Sequence, residues 1–452
     1  MKQKVFYFLS ALCLAGAFAS CSEEETYVPQ PPVASIESLE GTLSVAQEDT
    51  LHFKANVSSI LDSEFHWSLN GEEVSTDSVY AFIPTEMGKY QVSLTASNVD
   101  GEFTDTKEVE VYGKYKYGTF ILNEGAVLMG AKGGSLTFIS PKGVVTNKAF
   151  QLENNGAWLG SVPQDLFIRN NKMYIVSQNG GNEGGFLTVV NAETLKLEAA
   201  YQDELNGKVS WPTHVAVLGD DDIYMRDNSG ISVFHPSTGE ATFIKGTEGA
   251  RKNTMAVADG KIFASSRKNV LVIEQGNDSI SATITFSNNV SGVIKSSDGN
   301  IWVSTADGSI SKVCPKSYAI FQTNKLQFPD GASSSVLAAS FAAAPSITAK
   351  GDTLYMSGLQ SKIYRHVFST NTTNFMVDAK NMVENVGIIY NTCAVHPVTG
   401  EVVLNSIQGY GAGVAVNNIS FFAFTDEGPV VSANYENYTE YPAGTFFTYN
   451  FE

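Results

Sequence analysis

Three aspartates, Asp165, Asp227 and Asp307, are the candidates for acid–base chemistry in this chain. Paired carboxyl groups at a suitable separation cleave glycosidic bonds, but the sequence does not show that any two of them meet. No G-x-S-x-G elbow, Walker loop, EF-hand loop or zinc pattern is present, and none of the six histidines pairs with another at ligand spacing. We therefore expect a protein that is not an enzyme and that holds neither a metal nor a cofactor.

A second group of residues has the chemistry of a binding site. Aromatic rings beside amides and guanidinium groups suit a large, flat or partly polar ligand. The candidate ligand-binding residues are Trp158, Gln164, Gln178, Asn179, Trp211, Arg226, Asp227, Arg251, Arg267 and Tyr410.

A repeated strand pattern indicates which elements position these residues. Short β-type runs with a large central residue recur at intervals of 39 to 54 residues, close to the period of a β-propeller. A second β-type run, a turn and a fourth strand follow each copy, and such four-stranded units close radially and hide their sheet edges. The seven copies are 119–122, 172–177, 222–225, 261–265, 300–304, 353–357 and 401–405.

The repeat predicts a β-propeller over residues 114–452, with seven blades favoured and six or eight as alternatives. We expect the last blade to complete itself by pairing strands from the two ends of this domain. In a propeller, the links into the innermost strands and the loops between second and third strands lie on one face, which we call the mouth. The ten candidate residues lie in these segments. Packing between blades is the competing interpretation for Trp158 and Trp211, and Trp302 is expected in the core.

The N-terminus predicts export and lipid anchoring. Lys2 and Lys4 precede an apolar run, 5–17, that is too short to span a bilayer but is typical of a signal peptide. Small residues then lead to Cys21, as in a bacterial lipobox, so residues 1–21 are interpreted as a lipoprotein signal peptide with Cys21 lipidated. Several acyl chains on one residue anchor firmly. A plain secretory peptide is the alternative.

Residues 22–32 form an acidic, Pro-rich linker. The acidic run directly after Cys21 resembles the signal that sends lipoproteins of one gut-dwelling Gram-negative phylum to the outer face of the outer membrane, and a solvated spacer is the alternative. We expect a protein anchored in the outer membrane and exposed at the cell surface.

Composition agrees with export. Removal of Lys2 and Lys4 leaves 27 basic and 47 acidic residues, a formal charge of −20, which disfavours nucleic acid as a partner. Only Cys314 and Cys393 remain after loss of Cys13 and lipidation of Cys21. They lie in the fifth and seventh units, so we expect buried free thiols without a disulfide.

Residues 33–113 predict a separate small β-sandwich. Two stretches, 65–71 and 88–98, resemble the PKD and immunoglobulin-like family. Trp67 is expected as the core aromatic and Tyr90 as a tyrosine corner. The predicted strands are 51–55, 64–69, 78–82, 89–96 and 107–111. The resemblance implies a spacer or adhesion module.

The propeller also resembles a known group. Segments 120–125, 159–165 and 172–179 are similar to surface-lipoprotein propellers related to YVTN-repeat, or surface-layer-type, proteins. Some members of that group capture cobalamin on one propeller face and pass it to a TonB-dependent outer-membrane transporter.

Three hypotheses follow. The first is a non-enzymatic surface lipoprotein that captures a corrinoid or similar bulky nutrient for such a transporter. The second is a glycan-binding or polysaccharide-degrading protein, and the third is an adhesion or scaffold protein without a small ligand.

Overall fold

The chain is nearly all β, as expected, and has two compact units that divide between Val111 and Tyr112. The computed structural model describes residues 27–125, 132–332, 334–337 and 344–450. The predicted signal peptide, the lipidation site Cys21 and the start of the linker lie outside the described residues. Within them, no helix combines the length and apolar character that a membrane span requires.

The first unit is a β-sandwich of two antiparallel sheets, with strand orders β1-β3-β6 and β2-β8-β7-β4-β5. All five predicted strands are present, together with three others, β1, β2 and β5, that the sequence pattern did not indicate. The strands are Val33–Ser38 (β1), Ser44–Ala46 (β2), Leu51–Ser58 (β3), Glu64–Leu69 (β4), Glu72–Ser75 (β5), Val79–Phe82 (β6), Gly88–Asn98 (β7) and Gly101–Tyr112 (β8).

Two aromatic residues organise this sandwich as predicted. Trp67 is fully buried, and its indole N–H donates to the backbone oxygen of Asp77 at 2.8 Å. The hydroxyl of Tyr90 donates to the backbone oxygen of Glu86, four residues upstream, at 2.9 Å, which is the bond of a tyrosine corner. Both interpretations are confirmed.

The second unit is a β-propeller, and its described residues form seven sheets, here called blades 1 to 7. In blades 2 to 6 the strands follow chain order from the innermost to the outermost. Blades 1 to 4 contain Thr119–Asn123 (β9), Ser135–Ile139 (β10), Val145–Thr146 (β11), Ser161–Arg169 (β12), Lys172–Gly180 (β13), Leu187–Asn191 (β14), Leu197–Tyr201 (β15), His214–Gly219 (β16), Asp222–Arg226 (β17), Ile231–His235 (β18), Glu240–Phe243 (β19), Ala256–Ala258 (β20), Lys261–Ser266 (β21), Asn269–Glu274 (β22) and Ala282–Thr285 (β23).

Blades 5 to 7 continue this arrangement, although two short strands share the innermost position of blade 7. Their strands, with the last strand of blade 1, are Val290–Lys295 (β24), Ile301–Thr305 (β25), Ser309–Val313 (β26), Ile320–Lys325 (β27), Thr348–Lys350 (β28), Thr353–Met356 (β29), Lys362–Val367 (β30), Thr372–Asp378 (β31), Ile388–Ile389 (β32), Ala394–Val395 (β33), Val402–Ile407 (β34), Asn417–Thr425 (β35), Gly428–Glu436 (β36) and Pro442–Phe447 (β37). The helix Ala149–Glu153 (α1) and the 3₁₀ turns Ser334–Leu337, Ala379–Asn381, Gly411–Ala415 and Thr448–Asn450 complete the described elements.

The seven sequence copies are the second strands of the blades, counted from the axis. These strands pack against neighbouring blades on both faces, so they are mostly buried, and β9 and β25 are buried along their whole length. Outermost strands such as β15 and β27 are largely exposed, and most residues of β27 are polar. Trp302 lies within β25 and is fully buried, which confirms its predicted place in the core.

Strands from the two ends of the propeller pair in blade 1, as predicted. The C-terminal strand β37 is the innermost strand and pairs with β9, in the order β37-β9-β10-β11. Asn123, at the end of β9, is buried and bonded on both sides of this junction. Its amide donates to Ser135 and Thr137, and its oxygen accepts from the hydroxyl of Thr439 and from the backbone N–H of Glu440.

Both described cysteines are free thiols. Cys393 is buried, and burial raises the pKa of its thiol to about 12. Cys314 is only half-buried, because it follows β26 at a surface turn, so the prediction of a buried thiol was wrong for this residue.

We predict that Asn123→Leu destabilises the propeller. The substitution leaves the buried hydroxyl of Thr439 and the N–H of Glu440 without this acceptor, and the hydroxyls of Ser135 and Thr137 without this donor, although Thr137 still donates to the backbone oxygen of Tyr438. The loss costs about 2–4 kcal/mol. Urea unfolding followed by tryptophan fluorescence measures this, and the exposed Asn277→Leu is the matched control, expected to change stability by less than about 0.5 kcal/mol. Equal stability of the two variants would contradict the assigned role of Asn123.

Candidate functional site

The innermost strands enclose a cavity of about 660 Å³ on the propeller axis, which we call the channel. Blades 1, 2, 4, 5, 6 and 7 all contribute lining residues. Its volume is within the range of small-molecule sites. The mouth lies at the end where the innermost strands begin, and we call the other end, where they finish, the exit.

The same backbone turn occurs at the mouth in three consecutive blades. Tyr441, Val162 and Trp211 have left-handed φ angles of 54°, 56° and 55°, and a proline follows each. Strand register places the three at equivalent positions, with a bulge next to the turn in blades 1 and 2. A left-handed backbone is costly for non-glycine residues, above all for β-branched valine, and such strain concentrates at functional sites.

Glu124 is the polar centre of the mouth. Its Oε1 accepts from the Nε2 of Gln164 at 2.7 Å, and its Oε2 accepts from the hydroxyl of Tyr390 at 2.9 Å. Its backbone N–H donates to the oxygen of Tyr441 at 3.0 Å. Side chains of blades 1, 2 and 7 therefore meet at one carboxyl group.

An irregularity in blade 7 places Tyr390. The strands β32 and β33 both pair with β34, but four residues separate them opposite only two residues of β34. Asn391, within this bulge, has a φ of 74° and donates from its side chain to the backbone oxygen of Ala443 in blade 1. Bulges re-aim side chains, and this one brings Tyr390 to Glu124.

The electrostatics of the mouth reflect its concave shape. Burial raises the pKa of Glu124, against the lowering effects of Gln164, Tyr390 and the positive Lys252. Burial and the charge of Arg226 lower the pKa of Lys252, although its side chain reaches solvent. A charged group that is exposed and yet poorly solvated lies in a recess. A ligand that enters this recess would meet Glu124 and Lys252 while both groups are only weakly hydrated.

Aromatic rings extend from this centre onto the rim. Tyr441 packs against Tyr390, with ring centroids 5.4 Å apart, and stacks with Tyr410 at 6.4 Å. Tyr410 is 67% exposed and Trp211 is 59% exposed. The exposure of Trp211 does not support the competing interpretation that it packs between blades.

The three aspartates are engaged locally. Asp165 is buried and accepts from the backbone N–H groups of Leu166 and of Val215 in the next blade. Asp227 is buried and accepts from the N–H groups of Ser210, Ser229 and Gly230. Asp307 accepts from the hydroxyl of Thr305 and pairs with Lys325 at 3.1 Å. No bond joins any two of them.

The candidate arginines connect the links at the mouth. Arg226 donates to the backbone oxygen of Ala250 and to the hydroxyl of Thr213, and Arg251 donates to the backbone oxygen of Val290 in blade 5. Arg267 lies in the turn between β21 and β22 with a φ of 51°, and its backbone oxygen accepts from the same Val290. The bonds of these three arginines hold the links at the rim of the mouth in place. The side chain of Arg251 nevertheless remains exposed.

Blade 2 carries the remaining candidates. The ring of Trp158 is half-buried, 5.3 Å from the ammonium group of Lys148. Gln178 and Asn179 lie near the end of β13, the first half-buried and the second exposed. The described contacts do not connect this group with Glu124.

Sequence reasoning did not select Glu124, Tyr390, Tyr441 or Lys252 as site residues. One signal was available, because Tyr441-Pro442 repeats the pattern of Val162-Pro163 and Trp211-Pro212. No local signal marked Tyr390, whose position depends on a contact with a residue 266 positions away.

Among the described residues, no group of three His, Cys, Asp or Glu side chains could hold a metal ion. The mouth therefore offers amide, phenol, guanidinium and indole groups around one carboxyl group. This arrangement can bind a ligand through stacking and hydrogen bonds.

Two known protein families match this chain. Residues 117–448 match the family described as a domain of unknown function, DUF5074, and residues 31–98 match the PKD-like domain family. The first match spans most of the chain, so this protein belongs to the DUF5074 family. The second confirms the PKD-like domain predicted from the sequence. No relative is found among curated proteins.

One of the similar solved structures supports the fold, with a TM-score above 0.5. A quinoprotein alcohol dehydrogenase-like protein of Bacteroides thetaiotaomicron matches with a TM-score of 0.54 at 15% identity, over 93% of this chain and all of the other. BamB of Moraxella catarrhalis matches at 0.40 and 10%, over 62% and 76% of the two chains. The extracellular domain of a putative one-component system of B. thetaiotaomicron matches at 0.41 and 12%, over 61% and 33%.

We predict that Asp165 makes stability depend on pH. Burial raises the pKa of its carboxyl group to about 8 in the folded state, above the ordinary value of an exposed aspartate. Its contribution to the free energy of unfolding is therefore full below about pH 4 and is lost as pH rises toward 8.

Asp165→Asn removes this titration and leaves one backbone N–H less well bonded. The variant should be less stable than the parent at pH 5, by about 1 kcal/mol, and the gap should close or reverse by pH 9. Urea unfolding of both chains across this range measures the difference. A difference that stays constant with pH would show that Asp165 does not titrate in this way.

Proposed function

We propose that this protein is a non-enzymatic surface lipoprotein that captures a bulky, partly polar nutrient at the mouth of its propeller. The observation that carries this proposal is the set of large aromatic side chains held exposed around a polar recess. Trp211 is the clearest case, because its ring is exposed at a left-handed turn and no ring contact of it is described, whereas Tyr410 is exposed while it stacks with Tyr441.

A corrinoid is the best-fitting ligand class. Its macrocycle is flat, which suits stacking on Trp211 and Tyr410, and its rim carries amides that can bond with Arg251 and the carboxyl group of Glu124. Such a ligand is too wide for the channel and would lie across the mouth. The similarity of segments 120–125, 159–165 and 172–179 is to surface-lipoprotein propellers, some of which capture cobalamin, so it supports surface capture more than it supports one vitamin.

The remaining parts of the proposal come from the sequence. Lipidation at Cys21 and the acidic run after it would hold the protein at the outer face of the outer membrane. A captured nutrient must still cross that membrane, so a TonB-dependent transporter is the proposed partner. The local bonds of Asp165, Asp227 and Asp307 support a binding role over catalysis.

A glycan is the second candidate ligand. Exposed planar rings such as Tyr410 and Trp211 also stack on sugar faces. Glycan arrays and a reducing-sugar assay, on the same purified protein, separate binding and cleavage of polysaccharides from corrinoid capture.

We predict tight one-to-one binding of cyanocobalamin by calorimetry. Trp211→Ala should weaken the affinity about tenfold or more, because it removes a large ring from the contact. Phe321→Ala is the matched control, since Phe321 is 60% exposed on β27, the outermost strand of blade 5, and should leave the affinity unchanged. Absence of heat with cyanocobalamin and cobinamide would remove the corrinoid, and equal losses in both variants would remove the mouth as the site.

A further inference from the structure

The exit of the channel carries three basic side chains that have no acidic partner. Arg169, Lys295 and Lys350 are the last residues of β12, β24 and β28, and all three line the channel. Innermost strands run in the same direction along the axis, so their last residues converge at one end. Among the described residues, none of the three forms an ion pair within 4.0 Å.

Arg169 is the least satisfied of them. It is half-buried, its Nε is shielded from solvent, and it forms no hydrogen bond with the described residues. A guanidinium group has five donors in a rigid fork, and burying it without acceptors is costly. Lys350 donates only to the backbone oxygen of Val398 at 2.6 Å, and Lys295 has no bonded partner within the described part of the chain.

The nearby acids are paired elsewhere. Asp298, after β24, pairs with Lys312, and Asp220 pairs with Lys172 at 2.9 Å. Asp259, after β20, pairs with Lys261 at 3.4 Å, and Asp352, after β28, accepts from the backbone N–H of Ser369. These contacts direct the carboxylates toward outer strands. The charged side chains that remain near the propeller axis at the exit are therefore Arg169, Lys295 and Lys350.

The channel lining is therefore positive within an acidic protein. Its described titratable residues are the three cations, Cys393, Tyr449 and Asp165, and burial raises the pKa of each of the last three. A recess lined by one sign of charge, with walls of low dielectric constant, attracts counter-ions strongly. The overall formal charge of −18 does not cancel this field at short range.

We propose that the exit end of the channel binds a small oxyanion, a phosphate or a carboxylate, between Arg169, Lys295 and Lys350. The planar fork of Arg169 can bind two oxygen atoms at once, and the two flexible ammonium groups can close on the remaining ones. This site is separate from the mouth, so it does not depend on corrinoid capture.

The test uses the full chain with inorganic phosphate, glucose 6-phosphate and glucuronate as probes, at constant ionic strength set with chloride. At least one probe should bind by calorimetry and raise the melting temperature, and the pair of sugar acids distinguishes a phosphate from a carboxylate site. Arg169→Gln should weaken that binding about tenfold or more. Without a probe, this variant should melt no lower than the parent, because an unpaired charge has been removed.

Lys295→Gln is a second variant at an exposed residue and should weaken binding several-fold without affecting folding. Lys54→Gln removes the same charge from the sandwich, where Lys54 has only a 3.9 Å contact with Glu37, and should change nothing. Cyanocobalamin affinity should be equal in all four chains, which separates this site from the mouth. Failure of all three probes to bind, or binding that survives both channel variants, would overturn the proposal.

Discussion

The pairing of β37 with β9 is the contact on which the rest of the propeller depends. It joins residues more than 300 positions apart, so the entropy of closing that chain must be offset by one strand pair and the side chains around it. Without it, two sheet edges would stand open. At the same junction the backbone N–H of Glu124 donates to the oxygen of Tyr441. The strand pair that closes the propeller therefore also positions Glu124 at the mouth.

The sequence pattern predicted the blades through their second strands because these are buried on both faces. Phe120, Tyr174 and Trp302 are large residues at the centres of such strands, and each is buried in the core. Some innermost strands are short or interrupted, as β32 and β33 are, and outermost strands such as β27 are mostly polar. Strands of these two kinds have no pattern that distinguishes them from a loop. The sandwich was predictable for the same reason, from Trp67 and Tyr90, while its short strands β2 and β5 were not.

The site was predictable only where its chemistry is local. Trp211 and Tyr410 stand in segments that propeller topology assigns to the mouth, and they are exposed there. Asp227 lies in such a segment too, but its carboxylate caps its own turn, which residue type alone does not reveal. The bonds from Glu124 to Gln164 and Tyr390 connect three blades, and no short stretch of sequence contains that information.

The net charge of the chain is a further property that does not predict the local site. The composition describes an acidic protein, and that average argues against anionic partners. Interactions between charges weaken over a Debye length of about 8–10 Å, so a ligand inside the channel responds to the few groups beside it. Strand ends place Arg169, Lys295 and Lys350 there, while the acids of adjoining turns pair outward with lysines such as Lys312 and Lys261. An acidic surface around a positive channel repels anions at a distance, whereas the channel itself attracts an anion that has entered it.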